Sequence, residues 1–158
     1  MTVSQGLATL FTRDLTRLIQ ELKAFPSDEI LWQCAPGVSN SAGNLVLHLE
    51  GNLREYIARQ LGDIPYQRHR DLEFSSNGVS REQLIQRMEQ VKTQVADVVS
   101  ALSDSQLGAT HPEKVLEVPL TSHDFLVHLH GHLNFHLGQI DYLRRILTQG
   151  SAVEFAGL

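Results

Sequence analysis

Apolar residues recur at three- and four-residue intervals in four long segments of the chain, the spacing of one face of an α-helix. Residues 4–24 place Leu7, Leu10, Phe11, Leu15, Leu18, Ile19 and Leu22 on one side. Phe25-Pro26-Ser27 ends that segment, because a residue before proline is pushed out of the α region. Ser27 then caps a short turn through Asp28-Glu29-Ile30 that ends near Trp32, a core or lid residue. A second helix starts at Asn40 or Ser41 and runs to about Leu61, with Val46, Leu49, Leu53, Tyr56, Ile57 and Gln60 as its stripe. Ser80 and Gln83 form a capping box for a third helix, whose stripe is Leu84, Met88, Val91, Val95, Val98 and Leu102. Thr121 or Ser122 caps the fourth. Its stripe is Phe125, Leu129, Leu133, Ile140, Leu143 and Leu147, and Gly150 lies just past its end.

Two long connections separate these helices. Residues 62–78 hold Pro65, the basic run Arg68-His69-Arg70 and the turn pair Asn77-Gly78. A connection of that length is usually functional or disordered. Arg68 and Arg70 read as solvated surface charge, with contact to an anionic substrate as the alternative. Residues 104–120 form the other connection, in which 115–119 read as extended. The pattern therefore predicts an all-α four-helix bundle with long connections between helices 2 and 3 and helices 3 and 4. The 158 residues suffice for one domain with a sizeable core, expected over residues 1–158.

Charge and composition narrow the partners. A formal charge of −5 argues against a broad nucleic-acid footprint, which needs a basic face. No apolar run is long enough to span a bilayer, and residues 1–23 lack a signal-peptide pattern. The single cysteine, Cys34, excludes an internal disulfide and reads as a bystander. The expectation is a cytoplasmic protein with a small-molecule substrate and neither nucleic acid nor membrane as partner.

The chemistry lies in the histidines. Four of the eight, His128, His130, His132 and His136, fall within nine residues of the fourth helix, with His123 just upstream. His132 and His136 sit inside the apolar stripe, about 40° apart on the helix, so both rings face the core. Two imidazoles four residues apart can grip one metal ion from a single helix turn. The competing reading is a pair of core histidines, each hydrogen-bonded to a polar partner. His128 lies at the margin of the stripe and His130 on the far side. His48 lies on a flank of the second helix that it shares with Asn52, a position that suits a cleft mouth.

The chain has no HExxH, and it lacks the pair of Glu-x-x-His motifs of the di-iron bundles. What remains is three neutral imidazoles: His48, and 84 positions later (132 − 48) His132 with His136. Three nitrogen ligands leave a coordination place open for water or substrate, a catalytic arrangement rather than a closed structural one. A divalent ion there lowers the pKa of a coordinated water or thiol toward neutrality. Imidazoles suit zinc, nickel, iron or copper. Zinc or nickel leads the expectation, with iron or manganese behind.

The run H-L-N-F-H-L-G-Q-I at 132–140 resembles the H-x-x-x-H-x-G-Q signature of the DinB-like (damage-inducible) superfamily. The segment 37–49, followed by Gly51-Asn52-Leu53-Arg54, resembles that family's second-helix motif with its single histidine. Residues 68–74 look like a piece found in one branch of it. The resemblance implies an up-down-down-up bundle, a homodimer, and a divalent metal held by His48, His132 and His136. Some relatives are thiol S-transferases using bacillithiol, mycothiol or glutathione. Leu137 departs from the pattern, standing where many relatives carry a charged residue.

The first functional expectation is a metal-dependent enzyme that transfers a low-molecular-weight thiol to an electrophilic small molecule, or hydrolyses a small substrate. Asn52 and Gln139 are candidates to hydrogen-bond a ligand histidine or the substrate, with interhelical or capping bonds as the alternative. The second expectation is a non-catalytic metal-binding stress-response bundle, in which His128 fills the fourth coordination place. A third is a metal-free dimeric interaction scaffold whose histidines only hydrogen-bond.

Overall fold

A computed structural model describes residues 1–115 and 117–154. The chain is mostly helical, an all-α fold with one small hairpin. Helix α1 (Val3–Ala24) opens on a capping box between Thr2 and Gln5 and stops at Phe25, ahead of Pro26. Its inner face buries Leu7, Phe11, Leu15, Leu18 and Leu22, and the turn α2 (Asp28–Leu31) follows under a Ser27 cap. Helix α3 (Ala42–Leu53) begins at an Ser41 cap and runs into a π-helical segment, Arg54–Arg59. Helix α5 (Arg81–Ala101) carries the expected Ser80–Gln83 box. Helix α7 (Ser122–Thr148) is capped by Thr121.

The pairings between long helices set their directions. The end of α1 meets the start of α5, where the Arg81 guanidinium bonds to the Phe25 carbonyl, so these two run antiparallel. Against α7, Asp14 meets His130 and Glu21 meets Arg144, so α1 and α7 run parallel. Glu50 pairs with Arg87, and Arg54 with Gln90 and Gln94, so α3 and α5 are parallel too. His48 meets His132 while Tyr56 meets Phe125, which makes α3 and α7 antiparallel. One continuous apolar core lies between the four.

Both long connections hold more structure than their sequence suggests. The first contains helix α4 (Arg70–Ser75), whose docking onto α3 is tertiary: the Asn44 side-chain amide donates to the carbonyls of Glu73 (3.1 Å) and Ser76 (2.9 Å). The second contains α6 (Asp104–Gly108) and an antiparallel pair, β1 (Thr110–Val115) with β2 (Val118–Thr121). The extended run expected at 115–119 covers Leu116, which lies outside the described residues. Two smaller corrections concern helix faces. Val99 rather than Val98 joins the core, because Val98 turns sideways to pack against Gly62, where a Cβ would come within 2.3 Å of it. Gln149, not Gly150, takes the left-handed conformation at the end of α7, with φ 54°.

Candidate metal centre and its cleft

Antiparallel packing of α3 on α7 brings His48, His132 and His136 together, and one nitrogen from each lies within 4.8 Å of the others. His132 Nε2 is 3.2 Å from His48 Nε2 and 3.1 Å from His136 Nε2. Nitrogens bound tetrahedrally at zinc-like distances of about 2.05 Å are about 3.3 Å apart. The spacing fits a shared ion.

The outer nitrogens decide which inner ones are free to ligate. His48 Nδ1 lies 2.9 Å from Glu73 Oε2, and an ionised carboxylate only accepts, so the proton sits on Nδ1 and the Nε2 lone pair faces the cluster. His136 Nδ1 is 2.6 Å from the side-chain carbonyl of Gln139, with the same consequence. Two lone pairs therefore converge on His132 Nε2, which as a neutral donor can satisfy only one of them. A cation at the focus satisfies all three. The donor set fits a divalent ion of the kind imidazole prefers. His132 Nδ1 is the exception to this support, being buried without a partner.

Glu73 is itself held. Arg68 grips it side-on, Nε on Oε1 at 2.6 Å and Nη2 on Oε2 at 2.9 Å. Gly51 makes the room, since a Cβ there would stand 2.0 Å from Glu73 Oε1. Burial pushes the Glu73 carboxyl up, but the hydrogen bonds and charges of Arg68 and His48 outweigh it and leave the group below its ordinary range. Burial lowers His48, against the opposing pull of Glu73. His132 falls to about 4, through burial first and then the repulsion of His136, His48, His128 and Arg68. Burial thus favours the neutral form of His48 and His132, the form in which an imidazole can ligate a metal.

Several expectations change here. His48 lines a cleft, as expected, but is more deeply buried than a mouth position: it is 7% exposed, because Glu73, Arg68 and the Phe74 ring close over it. Arg68 is no solvated charge, its side chain being only 12% exposed. Arg70 is exposed, as expected, with its guanidinium over Phe74. Asn52 is buried, with Oδ1 unpartnered, and lines a cleft of about 540 Å³ beside His48 and His132. His128 stands on the wall of that cleft, outside the three-histidine group. His130 on the far side of α7 faces α1, where it and Asn134 hold the buried Asp14 at 2.8 and 2.9 Å. His123 pairs with its exposed neighbour Asp124, and Cys34 is exposed. A groove of similar size between α1 and α5, about 560 Å³, lies away from the histidines and gathers no comparable set of ligating groups.

The sequence-family model of the DinB superfamily matches residues 10–140. The chain belongs to the DinB superfamily. Its fold is also that of a DinB-like protein from Bacillus cereus ATCC 10987, 19% identical, with a TM-score of 0.71 over 97% of this chain and 95% of the other. A conserved protein from Enterococcus faecalis is 17% identical, with a TM-score of 0.75 over 95% of this chain and 99% of its own. Likeness at these identities speaks to fold alone. No protein of curated function matches the chain. Within this DinB-superfamily fold, the residues missed by sequence reasoning are Glu73, Gly51 and Asn44. All three lie inside the segments that carry the family likeness, 37–54 and 68–74, but nothing in the sequence assigned any of them a role.

Proposed function

We propose that this protein is a divalent-metal-dependent enzyme that transfers a low-molecular-weight thiol to an electrophilic small molecule, or hydrolyses a small substrate at the same centre. The observation that carries the reading is the convergence of three Nε2 atoms, two with tautomers preset by Glu73 and Gln139. His48, His132 and His136 would hold the ion, zinc or nickel foremost, with iron or manganese behind. When bound, a divalent ion supplies Lewis acidity that brings a coordinated thiol or water toward ionisation at neutral pH. Three ligands leave a place for that group. His128 lies outside the cluster and on the cleft wall, which supports an open place over the closed site of a storage bundle. The cleft admits a small molecule beside His48 and His132.

Two further readings travel with this one. The long helices form an up-down-down-up bundle, a reading supported by the antiparallel α1–α5 and α3–α7 pairs and the parallel α1–α7 and α3–α5 pairs. Assembly as a homodimer is supported by the exposed apolar side chains Phe135, Tyr142 and Ile146 along α7.

The test is turnover. Metal-loaded protein is incubated with glutathione or cysteine and monochlorobimane, and separately with p-nitrophenyl acetate, beside a His132→Ala/His136→Ala variant. Thiol conjugation above the variant supports the transferase, and ester cleavage alone supports the hydrolase. Rates equal to the variant in every assay speak against an enzyme.

A further inference from the structure

The side-on grip of Arg68 on Glu73 uses Nε and Nη2, and leaves Nη1 with both its N–H groups. Nη1 makes no hydrogen bond to any described residue, and Arg68 lines the cleft beside the histidines. Its guanidinium is also held over the Tyr56 ring, 5.4 Å from the centroid, so its direction is fixed. Two more cations line the same cleft from separate elements: Arg70 at the start of α4 and Lys114 on β1. Both are exposed, and neither forms an ion pair among the described residues. Against them the cleft lining has one carboxylate, Glu113, whose charge also acts on Arg59. Glu73 lies behind Arg68, with both oxygens engaged. Three cations gather here in a chain of 18 acidic and 13 basic residues. That is a local reversal of the protein's sign.

We propose that this cleft is an anion-binding site, taking a small molecule with a carboxylate or phosphate group that seats on Arg68, with Arg70 and Lys114 at its rim. A pre-oriented guanidinium makes charge-assisted bonds to such groups without first paying to be ordered. A cleft of about 540 Å³ holds a metabolite-sized ligand rather than a polymer. Seated there, the ligand's remaining end lies beside His48 and His132. As a substrate pocket the site rests on the function proposed above; as an anion site it does not.

Isothermal titration of metal-free, full-length protein at low ionic strength separates the two. The probes are succinate and inorganic phosphate, with uncharged succinamide as control, and whichever anion binds names the source of the charge. The proposal expects saturable binding, weakened at least about tenfold in an Arg70→Glu/Lys114→Glu variant. Both positions are on the surface, so that variant folds even where Arg68→Lys disturbs the Glu73 pair. Binding should persist in the His132→Ala/His136→Ala variant, even where that variant no longer takes up metal; this would support the anion site whatever becomes of the metal reading. Absence of binding by both anions, equal binding of succinamide, or unchanged affinity in Arg70→Glu/Lys114→Glu would overturn it. So would binding seen only with added metal and lost with the two histidines, a result that leaves the metal centre intact.

Discussion

Replacing Glu73 by glutamine changes one atom and reverses a hydrogen-bond pattern. Both oxygens of Glu73 accept: Oε1 from Arg68 Nε, and Oε2 from His48 Nδ1 and Arg68 Nη2. Glutamine offers one acceptor and one NH₂ donor in the same space. Whichever way its amide turns, the NH₂ confronts an N–H of Arg68 or of His48. The relief available to His48 is to move its proton from Nδ1 to Nε2, which points the proton at the cluster and removes one ligand. Losing such support for a ligating histidine typically costs about 10–100-fold in metal affinity, or about 1.4–2.7 kcal/mol. Stability falls as well, since the largely buried Arg68 loses its counter-ion; the glutamine carbonyl still accepts one hydrogen bond, so the loss stays below the ~3–5 kcal/mol of a fully buried broken pair. The assay is a competition titration with a chromophoric chelator, wild type beside Glu73→Gln, with Glu113→Gln as a carboxylate control outside the relay. A dissociation constant for Glu73→Gln equal to wild type, in a folded protein, would refute the reasoning.

Gly51→Ala pits helix propensity against space. Alanine gains about 1 kcal/mol in a helix interior, but its Cβ would sit 2.0 Å from a buried carboxylate oxygen, an overpacking that costs about 1–3 kcal/mol. Denaturant unfolding should show net destabilisation, and a more stable variant would contradict the assigned fit. Burial raises the Asp14 carboxyl, yet hydrogen bonds from Arg13, Asn134 and His130 bring it to about 2 from the ordinary 3.8. A depressed carboxyl contributes stability that is present above its unfolded value and lost as pH falls through the folded one. That is about 2 kcal/mol, given up between pH 4 and 2. Asp14→Asn should flatten that acid limb of the stability–pH curve, and an unchanged limb would count against it. His132 is lowered to about 4, so in metal-free protein its ring protons should not shift in an NMR titration from pH 7 to 5, whereas a midpoint near 6.5 would contradict the burial argument. The sign is that of a depressed base: its contribution is intact above pH 6.5 and is lost as the protein is acidified toward 4.

What could be read from the sequence divides along the range of the forces involved. Helix faces and ends are local: Ser80 with Gln83, Ser27, Ser41 and Thr121 cap the elements they were expected to cap. The histidine spacing on α7 is local too, and His48 was the imidazole left to join it, a choice the motif likeness repeated. Helix α4 was not legible, because six residues do not hold a helix alone; Asn44 and the Arg68–Glu73 relay hold it from outside. Nor was the role of His130, since its partner Asp14 stands 116 positions away in the middle of an apolar stripe. The π-helical turn after Leu53 has no local signature, and it shifts Tyr56 and Gln60 from the expected stripe to half-buried positions.

The central claim is that three imidazoles form a metal site, and elemental analysis of purified protein tests it most directly. After incubation with zinc, nickel or manganese and removal of excess, the wild type should retain near one divalent ion per chain, and His132→Ala/His136→Ala should retain none. No metal in the wild type under any of these loadings, or equal metal in both proteins, would contradict the account.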